Sequence, residues 1–535
     1  MATTAGSWRT SLKPAVIVAE SLRRVPGPPL AAPPPVHGSP GEVASAIAHG
    51  LTPPLATDVP PEWLLPGQSV SFARALAAIR RHGAALIADP VGSGKTWIAL
   101  ALAKTLAGGA VAIVPAALRK QWERAARRTG VAVRVQTHEE WSRARRPIPE
   151  GLVVVDEAHW YRHADTKRYA HLAPALVGRD GVLLTATPVV NRMEDVVNEL
   201  LLLARDDALA GAGVASIREM LSHDRPPPQL AELIIAAAEM TGRPTERARQ
   251  LGAAVEEEEQ ARAVFAQLDR LVLSTNRAVR TLLAGVFAAA WGSSPAALRA
   301  TLSRYRTLLL QERDAAGEGL CLGRQDLRRL LGGDLAQTVL WPVIGDSHGS
   351  GDLVAGDLPA LEELLAWLKE LDPGTDPKIR RLNSVLGDGS KSIVFTTARA
   401  TVGHLRRVLA PTSRIAWCTG AEAGIGATRL SRADVLQWFG PEAPEHELAP
   451  QTLVATDVAA EGLDLQRAGR IVHYDLPWTT VRLDQRAGRV VRLGSRHTTA
   501  DVVTLLPPAA VEARLNLLQR LARKRPLPSR LGLGR

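Results

Sequence analysis

The stretch from Ala84 to Leu106 leaves this chain little freedom in what it can fold into. A short apolar run, Ala84–Ala88, leads into Asp89-Pro90-Val91-Gly92-Ser93-Gly94-Lys95-Thr96, and an apolar helical stretch, Trp97–Leu106, follows at once. A run that short, buried on both faces and fed straight into a helix, is the strand–turn–helix unit of a parallel sheet. Gly92 and Gly94 allow the turn to point its backbone amides inward, and the helix start adds its positive end, so the loop suits a phosphate. In that geometry Lys95 reaches the β/γ-phosphates and the Thr96 hydroxyl ligates Mg²⁺. An ordinary glycine-rich turn is the rival reading, and the Lys-Thr pair argues against it.

The same alternation continues on either side of a long contrasting segment. Candidate strands Ala84–Ala88, Ala110–Val114, Val131–Val135, Leu152–Val155 and Val182–Leu184 predict a first α/β lobe over residues 61–205. Residues 206–376 lose the strand signal and gain Ala/Leu/Arg helical periodicity, for example Leu230–Ala238 and Ala261–Leu283, which predicts a helical insertion. Candidate strands return at Ser392–Phe395, Arg414–Trp417, Thr452–Ala455, Arg470–His473 and Val502–Leu505, giving a second lobe over 377–510. Residues 1–60 are proline-rich and read as an extended lead-in, and residues 511–535 as a basic helix and tail. The fold class expected is α/β: two parallel-sheet lobes with a large helical insertion between them.

Bulk properties narrow the partners. The net charge of +11 over 535 residues favours a polyanion, because phosphate neutralisation releases counterions, although an arginine-rich composition alone produces some of it. Two cysteines, Cys321 and Cys418, lie far apart without metal-ligand spacing and read as reduced thiols. No apolar stretch is long enough to cross a bilayer and the N-terminus lacks a signal-peptide core, so the expectation is a cytoplasmic protein, nucleoid-associated in a bacterium, with no membrane partner.

Leu152-Val153-Val154-Val155-Asp156-Glu157-Ala158-His159 supplies a partner for the phosphate loop. An apolar strand that ends in two acids brings carboxylates to the sheet edge where open α/β sheets bind ligands. Asp156 would hold Mg²⁺, and Glu157 would position and polarise an attacking water. His159, Thr185 and Thr187 end strands beside the acids and could couple the γ-phosphate state to lobe movement. Pro115 stops a strand whose following loop can offer amides and Arg119 or Lys120 to a phosphate backbone. In the second lobe, Arg489 and Arg492 stand three apart, on one face of a helix, a spacing that suits two guanidinium groups on a γ-phosphate. A solvated basic helix face is the alternative for that pair.

The order of these motifs resembles superfamily-two helicase-type ATPases, and within them the Swi/Snf family of DNA translocases. Gln68 in Leu65-Pro66-Gly67-Gln68 stands where that family reads adenine. The phosphate loop, Ile113–Leu118 with Gln121-Trp122, Asp156-Glu157-Ala158-His159 and Leu184–Pro188 with Asn191 follow in the family's order. The family pattern Asp-Glu-x-Gly-x-Gly-Lys-Thr accounts for Asp89, while Pro90 departs from its Glu. The resemblance implies RecA-like lobes. It implies nucleotide contacts from Asp89, Gly92, Ser93 and Gly94, and from Gly462, Asp464 and Gln485. It also implies phosphate-backbone contacts from Thr396, Thr397 and Thr456. Gly488 stands where Swi/Snf remodellers carry an acid. The form Gln485-Arg486-x-Gly488-Arg489-x-x-Arg492-x-Gly494 is thereby more like the bacterial RNA-polymerase-recycling branch.

These readings predict an ATP hydrolase using ATP and Mg²⁺, a motor on nucleic acid, above all double-stranded DNA, that remodels or displaces bound protein. A separate targeting protein or RNA polymerase is the further partner to expect. The alternatives are an RNA helicase, an RNA-polymerase-recycling remodeller, and a non-hydrolysing nucleic-acid-binding module.

Overall fold

The computed structural model describes residues 59–188, 194–219, 228–237, 244–317, 353–371, 376–409, 414–443, 446–447, 449–457, 465–492 and 495–524. The described chain divides into two compact units, residues 59–237 with 522–524, and residues 244–521.

The first unit contains α1 Pro66–His82, β1 Ala84–Ile87, α2 Lys95–Leu106, β2 Gly109–Val114, α3 Arg119–Thr129, β3 Ala132–Thr137 and α4 His138–Arg143. It continues with β4 Leu152–Asp156, α5 Lys167–Leu176, β5 Gly181–Leu184, α6 Glu194–Leu200 and β6 Ile234–Ile235. The strands make one sheet in the order β3-β2-β4-β5-β1-β6, every pair parallel. Side chains alternate across it. Ala85, Ile87, Ala112, Val114, Val154 and Leu184 face a core with α1, α2 and α3, while Leu86, Ile113, Val153, Val155 and Leu183 face Trp141, Tyr161 and Leu172. Both faces are covered, which is why these strands read as uninterrupted apolar runs.

The second unit runs β7 Thr245–Leu251, α7 Val255–Leu268, α8 Arg277–Ser293, α9 Pro295–Gly317, α10 Leu358–Glu370, α11 Pro377–Leu386, β8 Ser392–Thr396 and α12 Arg399–Leu409. Then come β9 Ile415–Cys418, β10 Ala423–Ile425, β11 Thr428–Leu430, α13 Arg432–Leu436, β12 Thr452–Thr456, β13 Arg470–His473, α14 Thr480–Ala487, β14 Thr499–Leu505, α15 Ala509–Leu515 and α16 Leu517–Lys524. Its sheet has the order β11-β10-β9-β12-β8-β13-β14-β7; the β9–β10–β11 meander is antiparallel and every other pair parallel. The α/β class with two largely parallel sheets is therefore as expected.

The segment expected to be wholly helical is mixed. Helices α7 to α10 are present and share one apolar core with Val511 and Leu515 of α15. Ile234–Ile235, inside the expected helix Leu230–Ala238, is instead a strand beside β1. Two β-branched residues buried against a sheet edge outweigh the helical spacing around them. Thr245–Leu251 is also a strand and extends the second sheet beside β14, with Arg247 Nε donating to Asp501 Oδ1 at 2.6 Å. The expected continuous helix Ala261–Leu283 breaks between Leu268 and Arg277, where Leu273 takes φ +66° and Asn276 caps α8 by accepting from the amides of Ala278 and Val279. The expected extended character of residues 1–60 falls, up to residue 58, outside the described residues, as does the tail beyond 524.

Candidate active site

In a parallel sheet every strand delivers its carboxyl end to the same edge. Strands β4, β5 and β1 are neighbours, with Asp156 opposite Leu184 and Leu184 opposite Ile87. The loop after Ile87, the acid pair after Val155 and the threonines after Leu184 are thus brought together by register alone. These are the segments sequence reasoning singled out in the first unit.

The loop after β1 turns at Gly92 and Gly94, both at positive φ (+84° and +83°). A Cβ on Gly94 would lie 2.3 Å from Gln68 Nε2, so the close approach of that amide requires glycine as well. Gln68 is buried, accepting from the Leu65 amide at 3.0 Å and donating to the Ser93 carbonyl at 2.7 Å. Expected to read adenine, its amide here ties the start of α1 to the glycine loop. Lys95 Nζ crosses the loop and donates to the carbonyls of Asp89, at 2.7 Å, and Pro90, at 3.1 Å. The buried Ser93 hydroxyl is without a hydrogen-bond partner. Positive-φ glycines, a lysine at the helix start and an unsatisfied buried hydroxyl fit a triphosphate. The hard oxygen donors Thr96 and Asp156 fit Mg²⁺, which needs few protein ligands.

Asp156 is buried at the end of β4. Trp122 Nε1 donates to its Oδ2 at 2.8 Å, and its Oδ1 accepts from the Glu157 amide at 3.0 Å. Burial, and then the neighbouring Glu157 carboxylate, push the Asp156 carboxyl up to about 6, against the opposing pull of the Trp122 N–H and Lys95. Glu157 itself takes φ +52°, left-handed backbone that a non-glycine residue rarely adopts. Its Oε2 lies 3.3 Å from His159 Nδ1, and the same nitrogen lies 3.4 Å from Thr185 Oγ1. Thr185 Oγ1 in turn accepts from the Thr187 amide at 3.1 Å. Glu157, His159, Thr185 and Thr187 therefore form one connected chain.

Two residues of this cluster escaped sequence reasoning. Trp122 was legible only as part of a motif; its bond to Asp156 spans 34 positions. His138, fully buried at the start of α4, contacts the Asp156 carbonyl and Tyr161, and no local pattern marks it. Pro115 is buried, and Arg119 pairs with Glu140 at 2.8 Å and donates to the Val135 carbonyl, so this guanidinium braces α4 in the described conformation.

In the second unit the central strands β12, β8 and β13 likewise place Thr456, Thr396 and the residues after His473 on one edge. Asp475, which sequence reasoning missed, organises it. Its Oδ2 accepts from Thr396 Oγ1 at 2.6 Å and from Ser293 Oγ at 2.5 Å, and its Oδ1 from the Thr397 amide at 2.8 Å. The Thr396 hydroxyl, expected on a phosphate backbone, is fully buried on Asp475 instead, and Thr456 is buried as well. Thr397 remains at the surface of this edge, half-buried.

Arg489 and Arg492 do not share a helix face. Helix α14 ends at Ala487, and Gly488–Val490 form a turn. Val490 and Val491 are both fully buried, and the Leu465 amide hooks the Arg489 carbonyl at 3.0 Å. Arg486, part of the sequence motif but given no role there, is buried and forks onto Asp457, at 2.5 and 3.0 Å, while donating to the Asp475 carbonyl at 3.0 Å. Gln485 lies one residue before it on α14, while Gly462, Asp464 and Asn191 lie outside the described residues. Among the described residues, no helix is long and apolar enough to cross a membrane.

Comparison with known proteins agrees with these motifs. The family model for the helicase conserved C-terminal domain matches residues 377–494. An uncharacterized ATP-dependent helicase, YqhH, of Bacillus subtilis is 24% identical over 453 residues, covering 78% of this chain and 71% of that protein. The RNA polymerase-associated protein RapA of Cronobacter sakazakii is 30% identical over 134 residues, 24% of this chain; the match spans only 13% of RapA's length. RapA of Erwinia tasmaniensis is 30% identical over 156 residues, 28% of this chain and 15% of that protein. The solved Sulfolobus solfataricus SWI2/SNF2 ATPase core in complex with dsDNA is similar over 85% of this chain and 90% of its own, at 16% identity and a TM-score of 0.32, too low to carry an argument. Similarity to an ATP-dependent helicase runs through both units and the second carries a helicase conserved C-terminal domain, so the chain is a helicase-like ATP hydrolase and nucleic-acid motor, similar over part of its length to RNA polymerase-associated RapA.

Proposed function

We propose that this motor translocates on double-stranded DNA and remodels or displaces protein bound to it. The observation that carries the reading is the connected chain Glu157–His159–Thr185–Thr187, which gives the water-positioning acid a route to the strand-end threonines. A site that only bound nucleotide would have no use for that chain.

Lys95 would leave the Asp89 and Pro90 carbonyls for the β/γ-phosphates, and Thr96 and Asp156 would hold Mg²⁺, with Asp89, Gly92, Ser93, Gly94 and Gln68 shaping the loop. Mg²⁺ supplies charge neutralisation on the phosphate oxygens. Glu157 positions the attacking water, and His159 holds the Glu157 carboxylate in line. Arg489 and Arg492 would add positive charge to the γ-phosphate, with Gln485, Gly462 and Asp464 sensing the nucleotide. Arg119, Thr397 and the segment after Pro115 contact phosphate backbone, and Thr396 and Thr456 shape the second contact from beneath. Backbone contacts of this kind position without reading bases, as a motor on arbitrary sequence requires. In domain terms, residues 61–205 and 377–510 are the two motor lobes, and target choice resides in the 206–376 insertion, in residues 1–60 or in a separate partner.

A second reading, remodelling of a transcription complex, is favoured by the similarity to RNA polymerase-associated RapA. Turnover measured side by side with duplex DNA, single-stranded DNA and RNA tests the first reading, and duplex should stimulate most. Equal turnover with all three, together with unchanged turnover in Glu157→Gln, would refute it. RNA polymerase recovered with the Glu157→Gln protein, and not with an Lys95→Ala control, would favour the second.

A further inference from the structure

We propose that His138 is a positioning residue for ATP hydrolysis, clamping the backbone of the Asp156–Glu157 turn from both sides. The inference rests on the reading of those two acids as the hydrolytic pair.

Its placement is built locally. Thr137 and Glu140 form a reciprocal cap, in which Thr137 Oγ1 accepts from the Glu140 amide at 3.3 Å and Glu140 Oε2 from the Thr137 amide at 3.1 Å. That cap fixes the start of α4 and delivers its first residue, His138, into the core, where it is fully buried. The imidazole stacks on Trp160 with ring centroids 5.1 Å apart and planes 28° from parallel.

Both ring nitrogens have definite work. Nε2 lies 2.8 Å from the carbonyl oxygen of Asp156, and Nδ1 lies 2.9 Å from the Tyr161 hydroxyl. A carbonyl only accepts, so the proton sits on Nε2, and Nδ1 accepts from the tyrosine O–H. Asp156 is the last residue of β4, and Tyr161 closes the short turn Ala158–Tyr161 after it. The ring thus bridges the chain just before Glu157 to the chain just after it. Glu157 is the residue between, at φ +52°, where an L side chain is disfavoured and surrounding contacts must hold the backbone. A buried histidine merely satisfied by the core would not need to join those two points.

The test compares His138→Phe, His138→Gln and Tyr161→Phe with the parent for steady-state ATPase, binding of a fluorescent ATP analogue, and Tm. Outer partners of a ligating carboxylate are commonly worth about 10–100-fold in activity, and a loss of kcat of that size is expected in His138→Phe. Its KM for ATP and its analogue affinity should stay within about 2-fold, because the clamp acts on turnover and not on uniform binding. Gln can place a donor near the Nε2 position and should restore most of kcat. Tyr161→Phe should lose kcat partially at unchanged KM. Should His138→Phe not be recovered folded, the last two variants decide on the same criteria. Unchanged kcat in His138→Phe or in Tyr161→Phe, or a joint fall of kcat, affinity and Tm without rescue by Gln, would overturn the proposal. Glu157→Gln run in parallel separates the two readings: if it retains turnover, the hydrolytic assignment fails; if it is dead while His138→Phe is active, only the clamp fails.

Discussion

Replacing Trp122 by Phe removes a single N–H from the active site and leaves most of the packing. That N–H donates to Asp156 Oδ2 at 2.8 Å, inside a cluster where Trp122 is fully buried. Hydrogen bonds to a charged group contribute about 1.5–3 kcal/mol, and only ionised Asp156 benefits. At 1.36 kcal/mol per pKa unit, losing the bond raises the Asp156 pKa by roughly 1–2 units. The midpoint, already raised in the parent by burial and by the Glu157 carboxylate, moves up further by that amount. Asp156 acts as the anion, so a higher pKa means that activity is lost at higher pH. The assay is the pH dependence of kcat/KM for ATP, which reports the free enzyme. Its acid limb should shift upward in Trp122→Phe, depressing turnover near neutrality and restoring it at alkaline pH. The smaller ring costs about 1–3 kcal/mol of stability, and thermal melting measures that separately. An acid limb that stays where the parent has it would refute the idea that Trp122 holds Asp156 ionised.

Further predictions concern the second unit. Asp475→Ala strands the Thr396 hydroxyl, the Ser293 hydroxyl and the Thr397 amide, and should destabilise this unit by about 3–5 kcal/mol in urea titration, with Asp475→Asn milder; a change below about 1 kcal/mol would contradict it. Lys378 is buried, donates to the Gly292 and Ser293 carbonyls, and has its pKa lowered to about 8, chiefly by burial. Since the unfolded chain keeps the ordinary lysine pKa of 10.5, it binds the extra proton between about pH 8 and 10.5, so folding gains stability as pH rises through that window. Relative to Lys378→Met, the parent should therefore gain up to ~3 kcal/mol across it, and a flat difference would contradict the shift.

Much of this was legible from residues alone, and what was not has identifiable causes. Central strands buried on both faces, such as Leu152–Asp156 and Ile415–Cys418, appear as apolar runs and were located to within a residue or two. Thr245–Leu251 was missed because it is an edge strand whose side chains are nearly all polar and exposed, held by main-chain pairing and by Arg247 on Asp501. The Arg489–Arg492 helix face failed because α14 ends at Ala487 and the chain turns over Gly488–Val490 before reaching Arg492. The phosphate loop and acid pair were visible since their chemistry is local. The roles of Trp122, His138, Asp475 and Arg486 were not, because each comes from a partner at a distance that no local pattern encodes.

The most direct measurement of the central claim is displacement of a third strand from a DNA triplex, followed with the parent and with Glu157→Gln. ATP-dependent release by the parent, none by Glu157→Gln, and no separation of the duplex strands is the predicted result. Release that needs no ATP or persists in Glu157→Gln, or ATP turnover that proceeds without any release, would contradict a motor that spends its hydrolysis tracking double-stranded DNA.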